Sequence, residues 1–137
     1  MILVDSNVFM YAGGSAHPYK EPSQKFLRQI AAGELDAAID AEVLQEILHR
    51  YRAINRWTEG TAVFEQAVQI IANVIPINRQ TLIEAHALMK QYLKLTARDA
   101  LHAAVYVLED AEALCSFDRD FDQIDGLVRK EPGELLL

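Results

Sequence analysis

Several acids in this chain have neighbours that make them candidates for chemistry. Asp5 follows the apolar run Met1–Val4 and is itself followed by Ser6 and Asn7. Asp40 follows the apolar stretch Leu35–Ile39, and Asp118, Asp120 and Asp122 follow Ala113–Phe117. Glu46 sits one residue before Ile47, at the margin of an apolar stripe, and Asp99 lies at the start of the apolar run 97–109. Taken singly, each has an ordinary role. Asp5 is as readily an N-cap as a ligand, and Asp40 reads as a cap. Asp99 fits the capping box Thr96-Ala97-Arg98-Asp99, Glu46 has Arg50 four residues on, and Ser116–Asp122 reads as a solvated turn. Taken together, acids flanking apolar runs imply something more. Carboxylates brought to one place repel and raise each other's pKa unless a cation offsets them. The chain has one cysteine, Cys115, and four scattered histidines. An oxygen-only donor set therefore points to magnesium or manganese, not zinc.

Elements of the right kind exist to position these acids. Met1–Val4, Leu35–Ile39, Val74–Ile77, Ala113–Phe117 and Leu127–Arg129 read as strands. Pro76 suits an edge or strand-end place for the third. Between them the apolar period predicts helices: a turn or two over Ser6–Tyr11, then Pro22–Ala32, Ala41–Asn55, Thr58–Ala72, Arg79–Leu93 and Ala97–Glu109, with a helical turn at Asp120–Ile124. The last long helix is apolar almost all round and is expected to be buried. Strands alternating with helices imply crossover units, a mostly parallel α/β sheet and one domain over residues 1–137. In such sheets ligands bind beyond the carboxyl ends of the strands, where Asp5, Asp40 and Asp118 would lie.

Composition narrows the classes. With 137 residues, 51% hydrophobic and 24% charged, the chain fits one soluble globular domain. No intrachain disulfide can form, and no stretch is long and apolar enough for a membrane span or reads as a signal peptide, so a cytoplasmic location is expected. A net charge of −7 argues against nucleic-acid binding by bulk charge. Local basic groups remain: His49, Arg50, Arg52 and Arg56 follow Glu46, and Lys90, Lys94 and Arg98 lead into Asp99. Arg52 and Arg56, four apart, are expected on one helix face. His102, three residues after Asp99, is expected to be a packed, hydrogen-bonded core histidine. Tyr11 and Trp57 are expected to pack, with base stacking as the other possibility.

Four segments in order, ILVDSNVFMY, VLQEILHRY, TARDALHAAVY and LCSFDRDFDQI, resemble the PIN-domain ribonucleases, with the VapC-like toxins of toxin–antitoxin pairs the most similar subgroup. The resemblance spans almost the whole chain. It implies a three-layer α/β/α sandwich with a central, mostly parallel sheet of about four to five strands. It implies an acidic quartet of Asp5, Glu46, Asp99 and Asp118, catalytic and metal-holding, for Mg2+ or Mn2+. Supporting or substrate-binding places fall on Asn7, Ser116 and Asp122, and Arg50 and Arg52 are the expected RNA-backbone contacts. Asp40 stands where the family commonly has Ser or Thr. The implied activity is metal-dependent hydrolysis of single-stranded RNA. The implied partners are RNA, a cognate antitoxin and a second copy of the chain.

Two other readings fit less well. A phospho-acceptor receiver-type domain is also a small α/β fold with acids at strand ends. It would carry paired acids after the first strand and a lysine after a late one, whereas Asp5 stands alone and no lysine follows Ser116 before Lys130. A catalytically idle binding module of the same fold is the second, and four intact acids speak against it.

Overall fold

The computed structural model describes residues 1–137. Five short strands form one sheet: β1 (Ile2–Val4), β2 (Ala37–Asp40), β3 (Val74–Ile75), β4 (Ala113–Cys115) and β5 (Arg129–Lys130). They lie in the order β3-β2-β1-β4-β5 and every pairing is parallel. Parallel neighbours need crossovers, and helices supply them: α1 (Ser6–Gly13), α2 (Lys20–Ala31), α3 (Ala41–Ala53), α4 (Trp57–Ile70), α5 (Arg79–Gln91) and α6 (Ala97–Leu108). A 3-10 turn spans Arg119–Gln123, and a short α7 covers Pro132–Leu135. No helix is long and apolar enough to cross a membrane.

The side-chain period of two in the central strand divides the core. Ile2 and Val4 of β1 face a cluster built with Phe9, Phe26, Ile47 and Val63, from α1 to α4. Leu3 faces the other way, into a cluster with Leu88, Ala103, Val105 and Phe121. The result is three layers, α1–α4, the sheet, and α5 with α6, as the family resemblance implies. Because β1 is central, it is buried on both faces, which explains its uninterrupted apolar run.

Boundaries differ from the expectation at several places. β4 stops at Cys115 because Ser116–Asp118 turn away to meet α1. Pro76 falls just outside β3, an edge strand of two residues. Helix α3 stops at Ala53 because Asn55 takes a left-handed φ of 58°. Arg52 and Arg56 therefore do not share a helix face: Arg56 caps α4 instead. Gly60 lets α4 approach α3 closely, since a Cβ there would lie 2.3 Å from the Tyr51 Cβ.

Candidate active site

The carboxyl edge of the sheet gathers the acids. Asp5 leaves the end of β1 and accepts from the Ser6 backbone N–H (2.7 Å), capping α1. Its other oxygen accepts from the Ser116 hydroxyl (2.6 Å) and the Asn7 amide (3.2 Å). Asn7 also donates to the Ser116 Oγ (3.2 Å) and accepts from the Phe117 N–H (3.4 Å). The Asp118 N–H donates to the same Ser116 Oγ (3.0 Å). So Asn7 and Ser116 tie the β1 exit to the β4 exit, and Asp118 is set by that link. Glu46 comes from α3 and accepts from the Ser6 hydroxyl (3.1 Å).

Two carboxylate groupings result. Asp5 and Glu46 meet His102, and Asp99 meets Asp118 and Asp120, with potential donor atoms within 4.8 Å of one another in each set. The Ser116 hydroxyl links Asp5 of the first set to the Asp118 backbone of the second, and Asp118 and Asp5 both repel the Asp99 carboxylate, so the two sets form one acidic region.

The charges differ in how they are compensated. Burial pushes the Asp5 carboxyl up from its ordinary range; His102 and the Ser116 hydroxyl oppose that rise, and Glu46 adds to it. His102 is buried on α6. Burial opposes its charged form, but its Nδ1–H bond to Asp40 Oδ2 (2.6 Å) and its Nε2–H bond to Glu46 outweigh that cost, and Asp5 adds a further pull, holding the imidazole well above its usual pKa. His102 is thus a buried cation between Asp40 and Glu46. Both its ring nitrogens are occupied, by Asp40 and Glu46, so it serves here as a counter-charge.

Asp99 has no such cation in direct contact. Its carboxyl is pushed up to about 6 from 3.8, first by burial and then by repulsion from Asp118 and Asp5, which His102 only partly offsets. Folded Asp99 therefore keeps a proton, between 3.8 and about 6, that the unfolded chain has released. Its contribution to stability is full below that window and is lost as pH rises through about 6. In chelator, the urea midpoint of the wild type should fall across this window relative to that of Asp99→Asn. Parallel profiles would show that Asp99 carries no such shift.

The remaining expected residues divide. Arg50 and Arg98 line one cleft with Ser6, Glu46 and His49, placing positive charge beside the acids. Arg52 stands elsewhere, its guanidinium 4.1 Å from the centre of the Trp57 ring, in a separate cleft with Gln45 and Leu48. Asp122 pairs with Arg129 (2.8 Å), and Asp120 takes the place beside Asp118. The 3-10 turn decides this: Asp118 accepts from the Asp120 N–H (2.9 Å), which holds Asp120 in the cluster and sends Asp122 toward β5. Glu46 does not pair with Arg50 but with Ser6 and His102. Asp40 does cap α3 through the Val43 N–H (3.1 Å), and its second oxygen holds His102. Sequence reasoning missed Ser6 and this second role of Asp40. The one available signal was an ionisable His102 on the most apolar helix, since a buried histidine needs partners.

Known proteins place the arrangement. Residues 2–127 match the family model of the PIN domain. Ribonuclease VapC13 of Mycobacterium tuberculosis is 43% identical over 129 residues, covering 94% of this chain and 98% of that protein. Among solved structures, VapC20 of M. tuberculosis, a sarcin-ricin loop cleaving toxin, superposes with a TM-score of 0.76 at 16% identity, covering 93% of this chain and 97% of that one. A toxin–antitoxin complex from Klebsiella pneumoniae gives 0.69 at 21% identity, covering 96% and 98%. These findings do not favour a receiver-type domain or an idle binding module. The chain belongs to the PIN-domain family and, within it, sits among VapC ribonucleases.

Proposed function

We propose that the chain is a metal-dependent endoribonuclease that hydrolyses single-stranded RNA as the toxin of a toxin–antitoxin pair. The observation that carries this reading is the meeting of Asp5, Glu46, Asp99 and Asp118 at one sheet edge, in a chain 43% identical to a named ribonuclease. The donor set fits a hard divalent cation: it offers carboxylate oxygens from Asp5 and Glu46 and, beside them, from Asp99, Asp118 and Asp120. Asp5, Asp99 and Asp118 would hold Mg2+ or Mn2+, with Glu46 as ligand or as the group that orients the attacking water. When bound, the cation supplies Lewis-acid charge, lowering the pKa of water and offsetting charge on the phosphoryl group.

The chain's own residues do the rest. Arg50 and Arg98, beside Glu46, draw the RNA backbone to an otherwise acidic edge. His102 holds Glu46 in place through their hydrogen bond, with Asp40 fixing the ring from behind. Ser6 holds the other Glu46 oxygen, and Asn7 with Ser116 fixes Asp5. Residues 1–137 act as one domain, located in the cytoplasm, paired with a second copy and inhibited by an antitoxin. The antitoxin proposal draws on the toxin–antitoxin complex that shares this fold.

Metal removal tests the reading. Excess EDTA should abolish cleavage of single-stranded RNA, and millimolar Mn2+ or Mg2+ added over the chelator should restore it. The same ions should raise the melting temperature, because a ligand bound only by the folded state stabilises it. Cleavage that persists at full rate in EDTA would refute the metal dependence.

A further inference from the structure

We propose that the cleft beside Asn7 is a nucleobase subsite, taking against the Tyr11 and His17 rings the base of a nucleotide that adjoins the cleaved bond. This rests on the ribonuclease reading and deepens it.

The cleft has a volume of about 410 Å³, within the usual span of roughly 300–1,000 Å³ for small-molecule sites. Its lining includes Asn7, Tyr11, His17, Arg50, Arg56 and Glu59. One wall is therefore Asn7, which bonds both Asp5 and Ser116, so the cleft opens directly from the acidic region. Arg50 lines both this cleft and the adjoining one that holds Glu46 and Arg98. A phosphate drawn to Arg50 would thus carry its nucleoside into the cleft. Arg56 is already engaged with Glu59 at 3.7 Å, which leaves Arg50 as the cation aimed at the backbone.

The aromatic wall is built in advance. Tyr11 and His17 lie with ring centroids 4.7 Å apart and planes 38° apart. Behind them, Tyr19 stacks on Phe117 (4.0 Å, 9°), and Tyr11 meets both edge-on at 5.1 and 5.3 Å. Phe117 lies between Ser116 and Asp118, so this stack is anchored in the acidic region itself. The loop that carries His17 is also fixed. The His17 Nδ1 accepts from the Tyr19 N–H (3.1 Å), and the Lys20 ammonium donates to the Gly14 carbonyl (2.7 Å). Tyr11 and His17 border the cleft while Tyr19 and Phe117 support them. Rigid aromatic faces next to a cation are what a base and its phosphate require, and stacking tolerates any base.

The test begins with total RNA, whose cleavage site is mapped and copied into a short single-stranded oligoribonucleotide. An abasic nucleotide is then placed at each position flanking the cut, and kcat/KM is measured for wild type, Tyr11→Ala, Tyr11→Phe and His17→Ala. One abasic position should cost the wild type about tenfold, the scale of one stacked base. Tyr11→Ala should lose about as much on the intact RNA and nothing further at that abasic position, while Tyr11→Phe keeps the rate. His17 is exposed, so His17→Ala gives the same reading with little risk to folding. Losses from the abasic nucleotide and from the variants that simply multiply, or variants that cleave like wild type, overturn the subsite and leave the ribonuclease reading standing. A wild type that cleaves no RNA overturns both.

Discussion

Asp99→Asn should lower the turnover of single-stranded RNA at least about 10²-fold, the scale for removing one preorganised electrostatic group, while leaving the metal-free protein as stable or more stable. The two effects have one cause. Above pH 6 the folded chain must hold an ionised Asp99 that burial, Asp118 and Asp5 all disfavour. Asparagine has the same shape and no charge, so the repulsion goes and the fold gains. What goes with it is a carboxylate proposed to hold the cation, so catalysis is expected to suffer. Steady-state cleavage and urea unfolding in chelator, both at pH 8, read the two effects. A variant that loses activity and stability together would place Asp99 in the framework of the fold instead. Full activity would remove it from the site.

His102→Ala should be the most destabilising single change in the site, at about 3–5 kcal/mol, the range for removing one partner of a buried ion pair. His102 and Asp40 are each 2% exposed, and Asp5 lies 3.9 Å from the His102 Nε2. Without the imidazolium, Asp40 and Glu46 face each other across a cavity with no counter-charge. The double change His102→Leu with Asp40→Asn should recover part of the loss, because it removes a charge along with its partner. Equilibrium urea denaturation decides between these outcomes. A cost below about 1 kcal/mol would mean that water reaches Asp40 and Glu46 and that the histidine is only packing.

The acids at the strand ends were legible because their signal is local. An uninterrupted apolar run marks a strand buried on both faces, and the next residue must emerge at the sheet edge, so Asp5 could be placed from a dozen residues. Pro76 likewise marked the edge strand. His102 was legible as a core histidine but not as a bridge, because its partners lie 62 and 56 residues away in sequence. The expected Arg52–Arg56 face fails at Arg56, because the helix break at Asn55 depends on a left-handed φ that no Gly or Pro announces. Residue types alone do not show how a 3-10 turn distributes its side chains, so the sequence does not separate Asp120, beside Asp118, from Asp122, beside Arg129. Helix α7 leaves no mark in the sequence: four residues carry too little apolar period to register.

The central position of β1 also sets the timing of activity during synthesis. β1 is made long before β4, yet β4 is one of its two neighbours, with Leu3 beside Leu114. The Asp5–Ser116 hydrogen bond spans 111 residues. While a ribosome is still making the chain, the amino-terminal half can collapse around α1–α4, but Asp5 waits for Ser116 and Asp118 to emerge. A nascent or truncated chain lacking β4 has neither the strand that completes the sheet's centre nor the last acid of the quartet. Parallel pairing between strands far apart in the chain therefore works as an interlock: this edge takes its folded form only after β4 and Asp118 have been translated.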